Sequence, residues 1–186
     1  MANKTVCIIL ADGFEEIEAL MPADIFKRLN INVILAGLET YNVRGTHDFH
    51  IITQTLIQDI SFADFDAIIL PGGLPGAINL RNSQLITDLL NQAYQNNKIC
   101  AAICAAPIVL RDSGIAKNKK MTGYPATEKL SNFPDFTYTG NNIEKDGLII
   151  TAKGMGKAAD FAFEIARSLG IDEKHIQDIA KNTFIL

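Results

Sequence analysis

Five short apolar runs recur along this chain, over residues 5–10, 32–36, 67–70, 99–103 and 148–151. They are built of Ile, Val, Leu and Ala with little polar alternation, so neither face reads as wet. Such strands suit a parallel sheet covered on both sides. Between the runs lie segments of helical period. In 82–95 the residues Leu85, Ile86, Leu89, Leu90 and Ala93 make one stripe, and 157–169 repeats it with Ala158, Phe161, Ala162, Ile165 and Leu169. Segment 15–29 places Ile17, Leu20, Met21 and Ile25 on one side. Pro22 is expected to kink or restart that helix, because proline removes a backbone donor. The alternation constrains the chain to one open, three-layer α/β domain over 1–186 with a mostly parallel sheet. Residues 41–60 mix β-branched and polar side chains and predict extra strands or a hairpin; 117–146, rich in Gly, Pro, Asn and Thr, predicts loops with short strands. No repeat or low-complexity linker interrupts the pattern.

Composition removes several function classes. A chain of 186 residues that is 48% hydrophobic has material for one good core. Its net charge is −4, with 17 basic against 21 acidic residues and no basic block. That argues against nucleic acid as a partner, since backbone binding needs clustered Lys and Arg. The opening "MANKTVCIILADGFEE" runs from a short apolar stretch straight into acid, unlike a secretory signal. The longest apolar run, 99–110, is too short to span a bilayer, so no membrane partner is expected. Three cysteines without framework spacing fit a reducing compartment, and a soluble cytoplasmic protein is expected.

In open α/β sheets ligands gather at the carboxyl ends of the strands. Three such ends carry chemistry: "ADGFEEIEAL" after the first run, "PGGLPGA" after the third, and Cys104 with "AAPIVL" after the fourth. Cys104 sits at a strand-to-helix turn with Pro107 suited to the helix's first turn. Backbone N–H groups and the positive helix end favour a thiolate there, whereas the bland alternative is a buried thiol acting as a small hydrophobe. Cys100 and Cys7 read as core residues. An extended strand separates Cys100 from Cys104 by about 13 Å, beyond disulfide reach. No C-x-x-C occurs, and His47, His50 and His175 show no ligand spacing beside the cysteines, so no metal is expected.

Glu15, Glu16 and Glu18 open the first helix, where carboxylates are usually solvated partners of the dipole. Glu15 and Glu18 share a face and Glu16 points elsewhere. If Glu18 reaches Cys104, the two titrations couple, and a thiolate beside a protonated Glu18 is the expected arrangement. Gly73 either forms a plain tight turn or, with the Ala105 N–H, holds an oxyanion. "AKGMGKAAD" matches a dinucleotide fingerprint through Gly154, Gly156 and Ala159, but no second strand follows, so no nucleotide cofactor is expected.

With these residues in view, the chain resembles the ThiJ/PfpI superfamily, in the branch that holds DJ-one and bacterial YajL. The stretches "ADGFEEIEAL", "ILPGGLPGA", "AAICAAP", "EKDGLIITAKGMG" and "DFAFEIA" carry the likeness nearly end to end. The resemblance implies a flavodoxin-like α/β/α sandwich and a homodimer through the first helix, with the site near that interface. It implies Cys104 as the nucleophilic, oxidation-sensitive cysteine, Glu18 as its protonated partner, and Gly73 and Ala105 as backbone donors. Glyoxalase and deglycase action on methylglyoxal and its protein or nucleotide adducts, or a redox-regulated chaperone role, are the activities it implies; no cofactor is among them.

Two positions depart from the pattern. Peptidase-type members carry histidine after the cysteine, where this chain has Ala105, which counts against a peptidase or amidase. Where the human-type branch has a histidine, this chain has Tyr124, a donor and a poor base. No histidine looks placed to pair with Cys104, so Glu18 is expected to move protons alone, with slow turnover. The leading expectation is an enzyme that adds Cys104 to an α-oxoaldehyde or glycated adduct. The runner-up is a sensor whose Cys104 becomes a sulfinate.

Overall fold

The computed structural model describes residues 4–126 and 135–185, so part of the loop-rich stretch 117–146 lies outside the described residues. In chain order the elements are β1 (Thr5–Leu10), α1 (Glu16–Arg28), β2 (Asn32–Gly37), β3 (Asn42–Arg44), β4 (His50–Ile52), β5 (Thr55–Leu56), β6 (Ala67–Leu70) and α2 (Gly76–Arg81). There follow α3 (Gln84–Gln95), β7 (Ile99–Ile103), α4 (Pro107–Asp112), β8 (Lys120–Met121), β9 (Thr137–Tyr138), β10 (Ile143–Asp146), β11 (Ile149–Ala152), α5 (Ala158–Ser168) and α6 (Glu173–Asn182). All five apolar runs are strands.

Seven strands form one sheet in the order β10-β11-β7-β6-β1-β2-β5. Every pairing in it is parallel except that of β10 with β11. Taken alone, β2, β1, β6, β7 and β11 give the flavodoxin-like 2-1-3-4-5 order, and the direction of winding reverses between β1 and β6. Alternate residues of β1 feed two cores. Val6, Ile8 and Leu10 pack with Phe26 of α1 and Phe161 of α5, while Cys7 and Ile9 pack with Leu80 of α2, Leu90 of α3 and Leu110 of α4. Each fully buried Leu, Ile or Phe contributes about 1.5–3 kcal/mol, so these two layers hold the sheet between them. The result is the three-layer α/β/α sandwich.

Helix α1 departs from expectation in two ways. It runs unbroken through Pro22, with no restart; the loss of a single donor is tolerated because the helix is anchored by side-chain burial. It also turns a different face inward. Ala19, Pro22, Ile25 and Phe26 are buried together with Glu18, whereas Ile17, Leu20 and Met21 are exposed. Ile25 therefore parts from the other three members of its stripe. The small side chain of Ala19 is fully buried in the core, and the bulkier trio is left outside.

The polar stretch after β2 folds as expected into an antiparallel hairpin, β3 with β4, and an edge strand, β5. After β11 the chain passes a single 3-10 turn, Met155–Lys157, into α5 and then α6. No strand follows α5 among the described residues, so the fingerprint-like "AKGMGKAAD" opens no βαβ unit. No helix among the described residues is long and apolar enough to cross a membrane.

Candidate active site

Strands β1, β6, β7 and β11 are neighbours and parallel, so their carboxyl ends rise side by side. The residues that follow them meet above the sheet. Cys104 is the first residue after β7. Its N–H donates to the Ala152 carbonyl at 2.9 Å, continuing the strand ladder, and its own carbonyl accepts the Tyr124 N–H at 2.7 Å. Between these two anchors its φ is +61°, in the left-handed region that a side chain adopts at a cost. The chain thus turns sharply on Cys104, whose half-buried side chain enters an open cleft of about 540 Å³. Glu15, Glu18, His47, Tyr124 and the 153–157 turn make up most of the remaining wall.

Glu18 reaches the cysteine from α1 and is 0% exposed. Its Oε2 accepts the Gly72 N–H at 2.9 Å, and the Gly72 carbonyl in turn accepts the Glu15 N–H at 2.9 Å. Helix start and glycine loop are clasped by this pair of bonds. The approach is so close that only glycine fits. A Cβ at Gly72 would stand 2.6 Å from Glu18 Oε2, 2.8 Å from Cys104 Cβ and 2.9 Å from the Ala105 nitrogen. Glu18 Oε1 is buried without a hydrogen-bond partner among the described residues.

The electrostatics of carboxyl and thiol are joined. Burial pushes Glu18 up to about 7, against the opposing pull of the Cys104 thiol and the Gly72 N–H. Burial also pushes Cys104 up to about 12, helped by the Glu18 charge and opposed by a hydrogen bond from the Ala105 N–H. These values belong to the pair: the first proton leaves near 7 and the second near 12. Above that first step the pair holds one negative charge and one proton between sulfur and oxygen. A proton on the orphaned Oε1 would give that atom a donor's role and leave the charge on Sγ. The expected source of help differs from the one found. Helix α4 is only six residues long and begins at Pro107, so the Ala105 N–H, rather than a long helix dipole, supports charge on sulfur.

Of the five residues singled out in the sequence, Cys104, Glu18 and Tyr124 line the cleft. Ala105 contributes its N–H from behind the sulfur. Gly73 lies outside the lining and serves a tight turn at φ +88°, its carbonyl accepting the Ala77 N–H at 3.0 Å. Cys7 and Cys100 are 0% exposed, and burial raises each to about 12.

His47, to which the sequence pattern assigned no role, stands on the cleft wall. Its N–H and Nδ1 face Glu16 Oε1 and Oε2 at 2.7 and 2.9 Å. Burial alone would raise Glu16, but the hydrogen bonds from His47 hold it below its usual range, and Glu16 raises His47 in return. The β3–β4 turn that carries His47 is pinned by Thr46, whose N–H donates to Phe14 at 2.8 Å and whose Oγ1 bonds the Leu74 carbonyl at 3.0 Å. Gly45 beside it leaves the room that the Glu16 carboxylate fills. Glu15, Glu16 and His47 bring donor atoms within 4.8 Å of one another, though both Glu16 oxygens are already engaged by His47.

The geometry has counterparts among known proteins. The profile of the DJ-1/PfpI family matches residues 4–168. Protein dj-1beta of Drosophila melanogaster is 37% identical over 186 residues, covering 98% of each chain. This chain belongs to the DJ-1/PfpI family. The crystal structure of the Drosophila DJ-1beta protein superposes with a TM-score of 0.91 at 36% identity, again over 98% of both chains. A Caenorhabditis elegans relative in the DJ-1/PfpI family is named glutathione-independent glyoxalase DJR-1.2; it is 32% identical over 174 residues, 93% of this chain and 92% of its own length. In this DJ-1/PfpI protein the residue after the cysteine offers only a backbone N–H, so no imidazole adjoins Cys104 in sequence.

Proposed function

We propose that the protein is a cysteine-dependent glyoxalase or deglycase acting on small α-oxoaldehydes, such as methylglyoxal, or on their early adducts. The observation that carries this is the buried Glu18 carboxyl set against a thiol that opens to the cleft, with one carboxyl oxygen left unpartnered. Cys104 sulfur, as thiolate, bonds to the aldehyde carbon, and Glu18 protonates the oxygen to give a hemithioacetal. The resulting Glu18 carboxylate then moves the hydrogen of that carbon to the neighbouring carbonyl carbon, while the hydroxyl proton passes to the neighbouring oxygen. The product is a thioester of a hydroxy acid, which water cleaves to lactate. These steps draw only on side chains and water. Burial of Glu18 keeps the migrating proton out of bulk solvent, and a positioned acid–base of this kind is worth roughly 10²–10⁴-fold.

The protein is proposed to work as a homodimer through α1. Ile17, Leu20 and Met21 form an exposed apolar strip on the helix that also carries Glu18, one step round from Met21, so a second copy would lie beside the site. Three free thiols suit a reducing compartment such as the cytoplasm. A sensor reading draws on one further observation: Cys104 is reachable while Cys7 and Cys100 are sealed, so oxidation to sulfinate would fall on a single sulfur. The enzymatic reading is tested by lactate release from methylglyoxal. Native protein should form lactate and Cys104→Ser should not; release no faster than buffer from the native protein overturns the proposal.

A further inference from the structure

A thioester on Cys104 must be cleaved by water, and Glu18 is badly placed to help. It is 0% exposed, shut away from the solvent that must supply the water. The cleft offers few other bases. Tyr124 is a donor at neutral pH. Lys153 is engaged with the Gly140 carbonyl at 3.2 Å and Lys157 with Asp160 at 3.0 Å. Glu15 offers a carboxyl rather than an imidazole.

His47 differs from all of these. It lines the same cleft as Cys104, and its side chain is 61% exposed, so water has free access to it. Its Nδ1 is taken by Glu16 at 2.9 Å, which leaves Nε2 as the lone-pair nitrogen of the neutral ring. The carboxylate that orients it is buried, and the turn that carries it is pinned at Thr46. A histidine held by a carboxylate beside a nucleophile is the arrangement that activates water or a hydroxyl in many hydrolases.

We propose that His47, oriented by Glu16, is the base that activates water for hydrolysis of acyl–Cys104. This rests on the nucleophilic reading of Cys104 given above. The water oxygen bonds to the acyl carbon as one water proton passes to His47 Nε2. The C–S bond breaks with its electron pair on Sγ. The new carboxylic acid gives its proton to the Glu18 carboxylate, restoring the starting pair, and His47 returns its proton to solvent. Two protic devices thus divide the work: Glu18 moves hydrogen within the substrate on a dry floor, and His47 handles water at the wet rim. The charged and titratable groups sharing the cleft with His47 are Glu15, Glu18, Cys104, Tyr124, Lys153 and Lys157, with Glu16 bonded to it and Asp48 next to it in its own turn.

The test acylates Cys104 with p-nitrophenyl acetate, removes excess reagent, and follows loss of the acetyl group by intact-protein mass. His47→Asn should acylate normally and deacylate roughly 10²-fold slower or worse, and added imidazole should restore the rate. The native deacylation rate should rise with pH as His47 loses its proton. Since Glu16 raises His47, Glu16→Gln should move that midpoint downward. Deacylation of His47→Asn at the native rate, or a loss that imidazole does not rescue, overturns the inference. Normal His47-dependent deacylation without lactate release from methylglyoxal supports the inference and overturns the proposed activity. A Cys104 that accepts no acyl group overturns both.

Discussion

Replacing Glu18 by Gln tests whether the native protein holds a proton on a buried carboxyl. The amide keeps an oxygen for the Gly72 N–H and places an NH₂ group where Oε1 now lies unpartnered. It therefore imitates the protonated acid at every pH. In the folded chain Glu18 is raised from its ordinary 4.5 to about 7, chiefly by burial. A carboxyl raised in this way contributes its stability fully below the unfolded value, and that stability is lost as pH climbs through the folded value. Moving from 4.5 to about 7, at ~1.4 kcal/mol for each pH unit, makes the loss about 3 kcal/mol. Urea denaturation of both proteins at pH 4.5 and pH 8 reads the difference. Apart from Cys104, whose own titration the substitution lowers, the titrating groups are shared by the two proteins, so the variant should gain on the native protein by about 3 kcal/mol between the two conditions. A stability difference that stays constant across the range would show that Glu18 is ionised throughout, and the shared-proton account of the site would fail. Cys104 should report the same change from the other side. Without the Glu18 charge its titration moves down, which the pH dependence of alkylation would record.

Three other outcomes follow from the geometry. Gly72→Ala puts a methyl 2.6 Å from Glu18 Oε2 and 2.8 Å from Cys104 Cβ; overpacking of this kind costs about 1–3 kcal/mol, and the displaced carboxyl should lower lactate release roughly 10²-fold. A thermal melt and a lactate assay measure the two effects. Met21→Lys plants a charge in the exposed α1 strip, so sedimentation should show a shift from dimer towards monomer with α/β circular dichroism retained. Mild peroxide followed by peptide mass analysis should find sulfinate on Cys104 before any oxidation of Cys7 or Cys100, and Glu18→Gln should lose turnover while that sulfinate still forms.

The sheet was legible because its strands are buried on both faces and so must be apolar throughout, as Ala67–Leu70 and Ile99–Ile103 are. Once the strands are placed, the carboxyl-end rule brings Cys104, the glycine loop and the α1 acids to one edge. The helix period separated Glu18 from Glu16 but left open whether Glu18 faces the crevice; it was the family resemblance that picked it out as the partner of Cys104. The inward face of α1 was not readable from hydrophobicity, since Ala19 and Pro22 carry the close packing while bulkier Ile17, Leu20 and Met21 stay outside. His47 was hidden for a different reason. It stands in a polar hairpin turn far along the chain from Cys104, and its place depends on tertiary docking through Thr46 and Glu16. The one local hint is Gly45, a glycine two residues before the histidine at the tip of a two-stranded ribbon. The 153–157 wall was read as a failed nucleotide fingerprint; its glycines instead leave open space above the sulfur, Gly154 lying where an added methyl would sit 3.9 Å from Cys104 Sγ.

The left-handed backbone at Cys104 has a bearing on how such a molecule tolerates change. Holding a side-chain-bearing residue there costs roughly 1 kcal/mol or more, a penalty that glycine escapes. A glycine would relax this elbow, so a thiol held there costs the fold some robustness that a purely shape-giving residue would not.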